Sequence, residues 1–294
     1  MVILDDYRYV PFQGKTVVNK KWLPIFLFGI ECTFRKKWTT LMLVGAWLTA
    51  IIKSILFLLL TQGQLDSGLL QTQGDRYFSK TILSMVYAQL PWFALILASV
   101  TGGLISDDLK KGAYSIYFSR PITRKDYFWG KFFVTLFYSF LVVWLPVFLF
   151  WTHSFIFSGF TQSPNWHIVS KDIHSLRFLQ TIAYLSTVSI SMGFLLLMFS
   201  CMSKNSRFVT LSFIAIFLVG YVLENIAQNI QKLSFLHFFS YLGNLDRIGY
   251  KIFLFQSSSP ATFWTAGGIL AVVTLFSAIY VYRKLGQIIF VGLS

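Results

Sequence analysis

Six apolar runs, each almost free of charge, divide this chain, and the lysines and arginines gather in the short segments between them. A run of about 20 apolar residues is the length of helix needed to cross the roughly 30 Å hydrocarbon core of a bilayer. Inside that core an open strand or loop leaves its backbone unbonded, so a run of this kind spans as a helix. The runs cover about Trp38–Leu60, Thr81–Leu104, Phe132–Trp151, Phe178–Phe199, Phe208–Leu223 and Thr262–Tyr282. Charged residues make up 12% of the chain, against about 25% in a soluble domain. The expected fold is an all-α polytopic membrane protein with six transmembrane helices and the lipid bilayer as its solvent.

The formal charge of +14 invites a nucleic-acid reading, but its distribution opposes one. Segments 1–37, 105–131, 200–207 and 283–294 hold 17 of the 25 Lys and Arg residues; segments 61–80, 152–177 and 224–261 hold seven, and Lys53 is the last. Such a bias places the first set in the cytoplasm. Both termini are then expected on the cytoplasmic side of the cell membrane, and no nucleic-acid partner is expected. Cys32 and Cys201 fall on that reducing side, so no disulfide is expected. The first 24 residues contain Asp5, Asp6, Arg8, Lys15, Lys20 and Lys21 and no apolar core. The first span is therefore expected to serve as its own insertion signal.

The chain divides into an N-terminal segment (1–37), a transmembrane domain (38–284) and a C-terminal tail (285–294). Trp22 to Lys37 is apolar but short, carries Glu31 and ends in Arg35-Lys36-Lys37. It reads as an interfacial amphipathic helix, or else as an extension of the first span. Segment 224–261 holds apolar stretches too short to span, broken by Gly243, Gly249 and Ser257-Ser258-Ser259-Pro260. It reads as a re-entrant outer region of short helices, with a plain loop as the alternative. Lys53 and Glu224 are the ionisable residues nearest the bilayer, where such groups mark transport paths or simply snorkel and solvate at helix ends. His153, His167, His174 and His237 all fall in outer segments without a metal-binding spacing. Gly14-Lys15-Thr16 mimics the end of a phosphate-binding loop, but Tyr9 stands where that loop needs glycine. The chain thus lacks a nucleotide-binding motif, has no catalytic pattern, and is not expected to be an enzyme.

Segment 105–131, between the second and third spans, is the most patterned part of the chain. Asp107 and Asp108 can cap a helix. Leu109 and Tyr114 then supply apolar contact surface, Arg120-Pro121 ends the helix, and Thr123 can start the next. In order, Asp107-Asp108, Gly112, Pro121-Ile122-Thr123-Arg124 and Gly130-Lys131 resemble the pattern that follows the second span in ABC-2-type transporter permeases. The preceding interfacial helix, the six spans and the outer region before the last span extend this resemblance over nearly the whole chain. One departure is Lys110-Lys111-Gly112-Ala113, where the family often has Glu-x-Gly-Thr.

The resemblance implies the transmembrane subunit of an ATP-driven exporter. A separate ABC ATPase subunit would dock on a short cytoplasmic coupling helix through Asp107, Asp108, Leu109, Gly112, Tyr114, Arg120, Pro121 and Arg124. A second permease copy, identical or related, would complete the substrate path. ATP and Mg would be bound by the ATPase, and no cofactor by this chain. The aromatic-rich spans lean towards a hydrophobic or amphipathic cargo. A membrane scaffold recruiting a cytoplasmic partner, or a stand-alone ion-coupled carrier, would share the topology.

Overall fold

The computed structural model describes residues 20–61, 77–113, 122–160, 177–254 and 260–291. Within them every regular element is helical. In chain order these are α1 (Trp22–Phe34), α2 (Lys37–Thr61), α3 (Tyr77–Lys111), α4 (Arg124–Ser139), a π turn (Phe140–Trp144), α5 (Leu145–Phe160), α6 (Arg177–Met202), α7 (Ser206–Asn229), a 3-10 helix (Gln231–Phe239), α8 (Tyr241–Leu254) and α9 (Pro260–Val291). Six helical stretches are long and apolar enough to cross a membrane; α4, the π turn and α5 together make the third. The chain is a multi-pass helical membrane protein.

α3 is the hub, packed against α2, α4, α6, α7 and α8. Its most apolar stretch is 61% buried, against 22%, 17% and 22% for α2, α7 and α9. These outer helices leave Leu41, Leu211, Leu218, Val272 and Leu275 exposed, a surface that only lipid or another apolar chain can cover. Lipid is as apolar as the core, so close packing and polar contacts between helices hold the bundle together. Gln89, fully buried on α3, donates to the Ala46 carbonyl at 3.0 Å and to Thr49 at 3.2 Å on α2. Nearby, the Trp92 indole packs over Gly45, where a larger residue would displace it. Phe57, Phe78 and Phe150 join α2, α3 and α5, with ring centroids 4.9 to 6.1 Å apart.

Both proline-containing spans continue through their prolines. Pro91 lies inside α3. Pro146 is the second residue of α5, one residue past the π turn, a wider turn that accommodates the missing N–H and the pyrrolidine ring. The expected spans are therefore short at their ends: the second runs on to Lys111 and the third begins at Arg124. The last helix continues to Val291, with Leu285 buried, so the residues expected as a tail from 285 begin as helix.

α1 is a separate 13-residue helix, too short to span, that lies against α4. Two glycines permit the approach: a methyl on Gly130 would collide with Ile25, and one on Gly29 with Val134. The buried Thr33 hydroxyl meets Tyr138 Oη at 2.5 Å across the same contact. The short helices expected in segment 224–261 are present as the 3-10 helix and α8. α8 buries Tyr241, Leu245, Ile248 and Phe253 against α3, α6 and α9.

Candidate functional site: a clasped helix pair and an acidic far end

Segment 105–131 is organised differently from the expectation of a helix capped by its acidic pair. Asp107 and Asp108 lie in the last turn and a half of α3, which ends at Lys111; Gly112 follows at φ +67°, the left-handed geometry that terminates a helix and suits glycine. The acidic pair therefore caps nothing. Carboxylates at a helix C-terminus oppose the helix dipole, and this one is offset by Lys110 and Lys111 and by a partner helix. Asp108 Oδ2 lies 2.7 Å from Lys131 Nζ and accepts a 2.8 Å hydrogen bond from the Tyr127 hydroxyl. The Lys131 side chain is 4% exposed and that of Asp108 15%, so little water competes with the pair.

Thr123 starts α4 as expected. Its hydroxyl oxygen accepts from the Asp126 N–H at 3.2 Å, and the Asp126 carboxylate accepts from the Thr123 N–H at 3.0 Å. This reciprocal cap fixes the first turn, and Tyr127 and Lys131, four apart, then share the face towards Asp108. α3 is also held on its other side. The Ile105 and Ser106 N–H groups donate to Ser200 of α6 at 3.1 and 3.2 Å, both buried.

The remaining expected docking residues divide. Leu109 is half-buried and packs against the cluster of Ile25, Ile105, Tyr127 and Phe128, so at least part of its surface serves the bundle. The helical turn that carries it continues α3. Asp107 folds back over Gly103. Arg124 reaches α9, its guanidinium against Gly286. Tyr114, Arg120 and Pro121 lie outside the described residues. Beside the clasp, a crevice of about 600 Å³ opens between α1 and the end of α3, lined by Phe28, Cys32, Lys36, Asp107, Asp108 and Lys131. Cys32 is an exposed free thiol and Cys201 a buried one.

Lys53 and Glu224 both have partners. Lys53 donates to the Ser84 hydroxyl and carbonyl on α3, which draws it towards the bundle rather than out along lipid. Glu224, near the end of α7, accepts from Arg247 of α8 at 3.3 and 3.4 Å. His237 Nδ1 lies 3.0 Å from the same carboxylate, out of line for a hydrogen bond. Arg247 also donates to the His237 carbonyl and to Asn244, tying the 3-10 helix to α8. A side chain at Gly243 would push against the Glu224 carboxylate and the Ser240 hydroxyl and force Glu224 to move. Tyr87 of α3 donates to the Asp246 carbonyl at 3.2 Å. Tyr87 and Asp108 are 21 residues apart on one helix, roughly 30 Å, so this cluster and the clasp occupy opposite ends of the bundle.

Sequence reading missed Tyr127, Asp246 and Arg247. Tyr127 was detectable as the i−4 neighbour of Lys131 on a helix whose start Thr123 marks. Arg247 is 23 residues from Glu224, and only the fold joins them. His167, Asp172 and His174 lie outside the described residues, and among the described ones no three metal-binding side chains converge. No protein-family model, no curated protein and no solved structure matches this chain.

Proposed function

We propose that this chain is the membrane-spanning permease subunit of an ATP-driven exporter of the ABC-2 type, working as a pair of permeases with two separate ATPase subunits. The reading rests on the order of motifs in segment 105–131, and the observation that supports it best is the Asp108–Lys131–Tyr127 clasp. A connector under load has to pass displacement to both helices it joins. A buried ion pair and a hydrogen bond at its base make α3 and α4 move as one unit, and Ser200 extends that unit to α6. Docking then falls to the residues beyond Lys111, with Tyr114 as the aromatic contact, and to the crevice beside α1. Both termini and the clasp face the cytoplasm in this reading, and α8 lies at the outer side. The chain contributes no catalysis: closure of the ATPases around ATP and Mg pushes the connector.

Tyr114→Asp tests the docking role. A charge at an aromatic docking contact should abolish co-purification of the ATPase while the permease still inserts into the membrane. Co-purification equal to that of the wild type would place the docking surface elsewhere.

A further inference from the structure

Between α3, α7 and α8 lies a cavity of about 640 Å³, within the range of pockets that hold small organic molecules. Leu90, Ala94, Phe217 and Leu218 form its apolar walls. Its polar end is formed by Tyr87, Glu224 and Asp246. Pro91, also in the lining, has no N–H to give the Tyr87 carbonyl, which loses its helical donor at that level.

The charges at the polar end do not balance. Glu224 is held by Arg247, with His237 beside it. The Asp246 carboxylate has no ion pair among the described residues. Its burial pushes the carboxyl above the usual carboxylate range, while Tyr87 and Arg247 pull it down and Glu224 adds to the rise. Two carboxylates thus face one guanidinium at the end of an otherwise hydrocarbon-lined cavity. Among the described residues no three metal-binding side chains converge there to hold an inorganic cation, and an acyl chain would fill the walls but leave Asp246 without a counter-charge. A cation on an apolar body satisfies both parts, and the rings of Tyr87, Phe217 and Tyr221 in the lining add faces that attract positive charge.

We infer that this cavity is a binding site for lipophilic organic cations, the apolar body lying between Leu90, Ala94 and Phe217 and the cationic group against the Asp246 carboxylate. Binding is a property of this chain alone and holds whether or not an ATPase partner exists. The test is equilibrium dialysis of the purified full-length chain in detergent with tetraphenylphosphonium, alongside neutral triphenylphosphine oxide. The wild type should bind the cation at one saturable site and the neutral compound at least tenfold more weakly. Asp246→Asn should weaken cation binding at least tenfold and leave the neutral compound unchanged. Leu218→Trp, on a side chain 63% exposed, should fold normally and weaken both compounds by filling the cavity mouth. The inference is overturned if the wild type shows no saturable cation site, if the neutral compound binds as tightly as the cation, or if either Asp246→Asn or Leu218→Trp leaves cation binding unchanged.

Discussion

Replacing Asp108 by Asn keeps the shape of the clasp and removes its negative charge. The Lys131 ammonium, with its side chain 4% exposed, would then sit in the bundle without its counter-ion, and removing one partner of a buried pair costs about 3–5 kcal/mol. The amide oxygen can still accept from Lys131 and Tyr127, which places Asp108→Asn near the lower end, at about 3 kcal/mol. Lys131→Met leaves the carboxylate instead, which is 15% exposed and keeps the Tyr127 hydroxyl; about 1–2 kcal/mol is expected, the cost of a partly satisfied polar group. The double variant removes both charges and should fall within about 1 kcal/mol of the wild type. Unfolding in mixed micelles of mild detergent and dodecyl sulfate, followed by fluorescence of the nine tryptophans, gives the three free energies and a coupling energy of about 3–5 kcal/mol. Additive effects, with coupling below about 0.5 kcal/mol, would refute a buried, mutually dependent pair.

Three further outcomes follow from the same geometry. Thr123→Ala removes a reciprocal helix cap worth about 1 kcal/mol, so amide exchange at Asp126 and Tyr127 should speed up about fivefold; unchanged exchange would mean the cap carries no load. Gly130→Ala should destabilise by about 1–3 kcal/mol because its methyl collides with Ile25 of α1, whereas Gly267→Ala, with open space around it, should be neutral or stabilising in the same unfolding assay. Asp246 binds its proton more tightly in the folded chain than in the unfolded one, so its contribution to stability is present at acid pH and is lost as pH rises through its folded value. Asp246→Asn should therefore reduce the fall in stability between acid and neutral pH, and an unaltered pH profile would contradict the burial of that carboxyl.

The spans were legible because hydrocarbon imposes one length and one chemistry on whatever crosses it, and Thr123 was legible because a helix cap is a local device. The ends of the spans were less so. Asp107-Asp108 looks like a helix start in sequence, yet α3 carries it at its C-terminal end, since the charge conflict with the helix dipole is relieved by Lys131 across the connector. Leu109 illustrates the same limit: whether it faces a partner or the core depends on where α3 stops, and Gly112 rather than the acidic pair decides that. At the far end, Glu224 was visible as an ionisable residue near the bilayer, but its partner Arg247 lies beyond the rest of α7, the 3-10 helix and nearly two turns of α8, a path that no spacing rule encodes.

The exporter reading stands or falls on one preparation: the tagged chain purified from its native membrane under mild detergent, with every co-purifying protein identified and ATP hydrolysis assayed. A stoichiometric ATP-binding-cassette subunit and ATPase activity are expected in the same fraction. Recovery of the chain by itself, with no ATPase, would contradict the account.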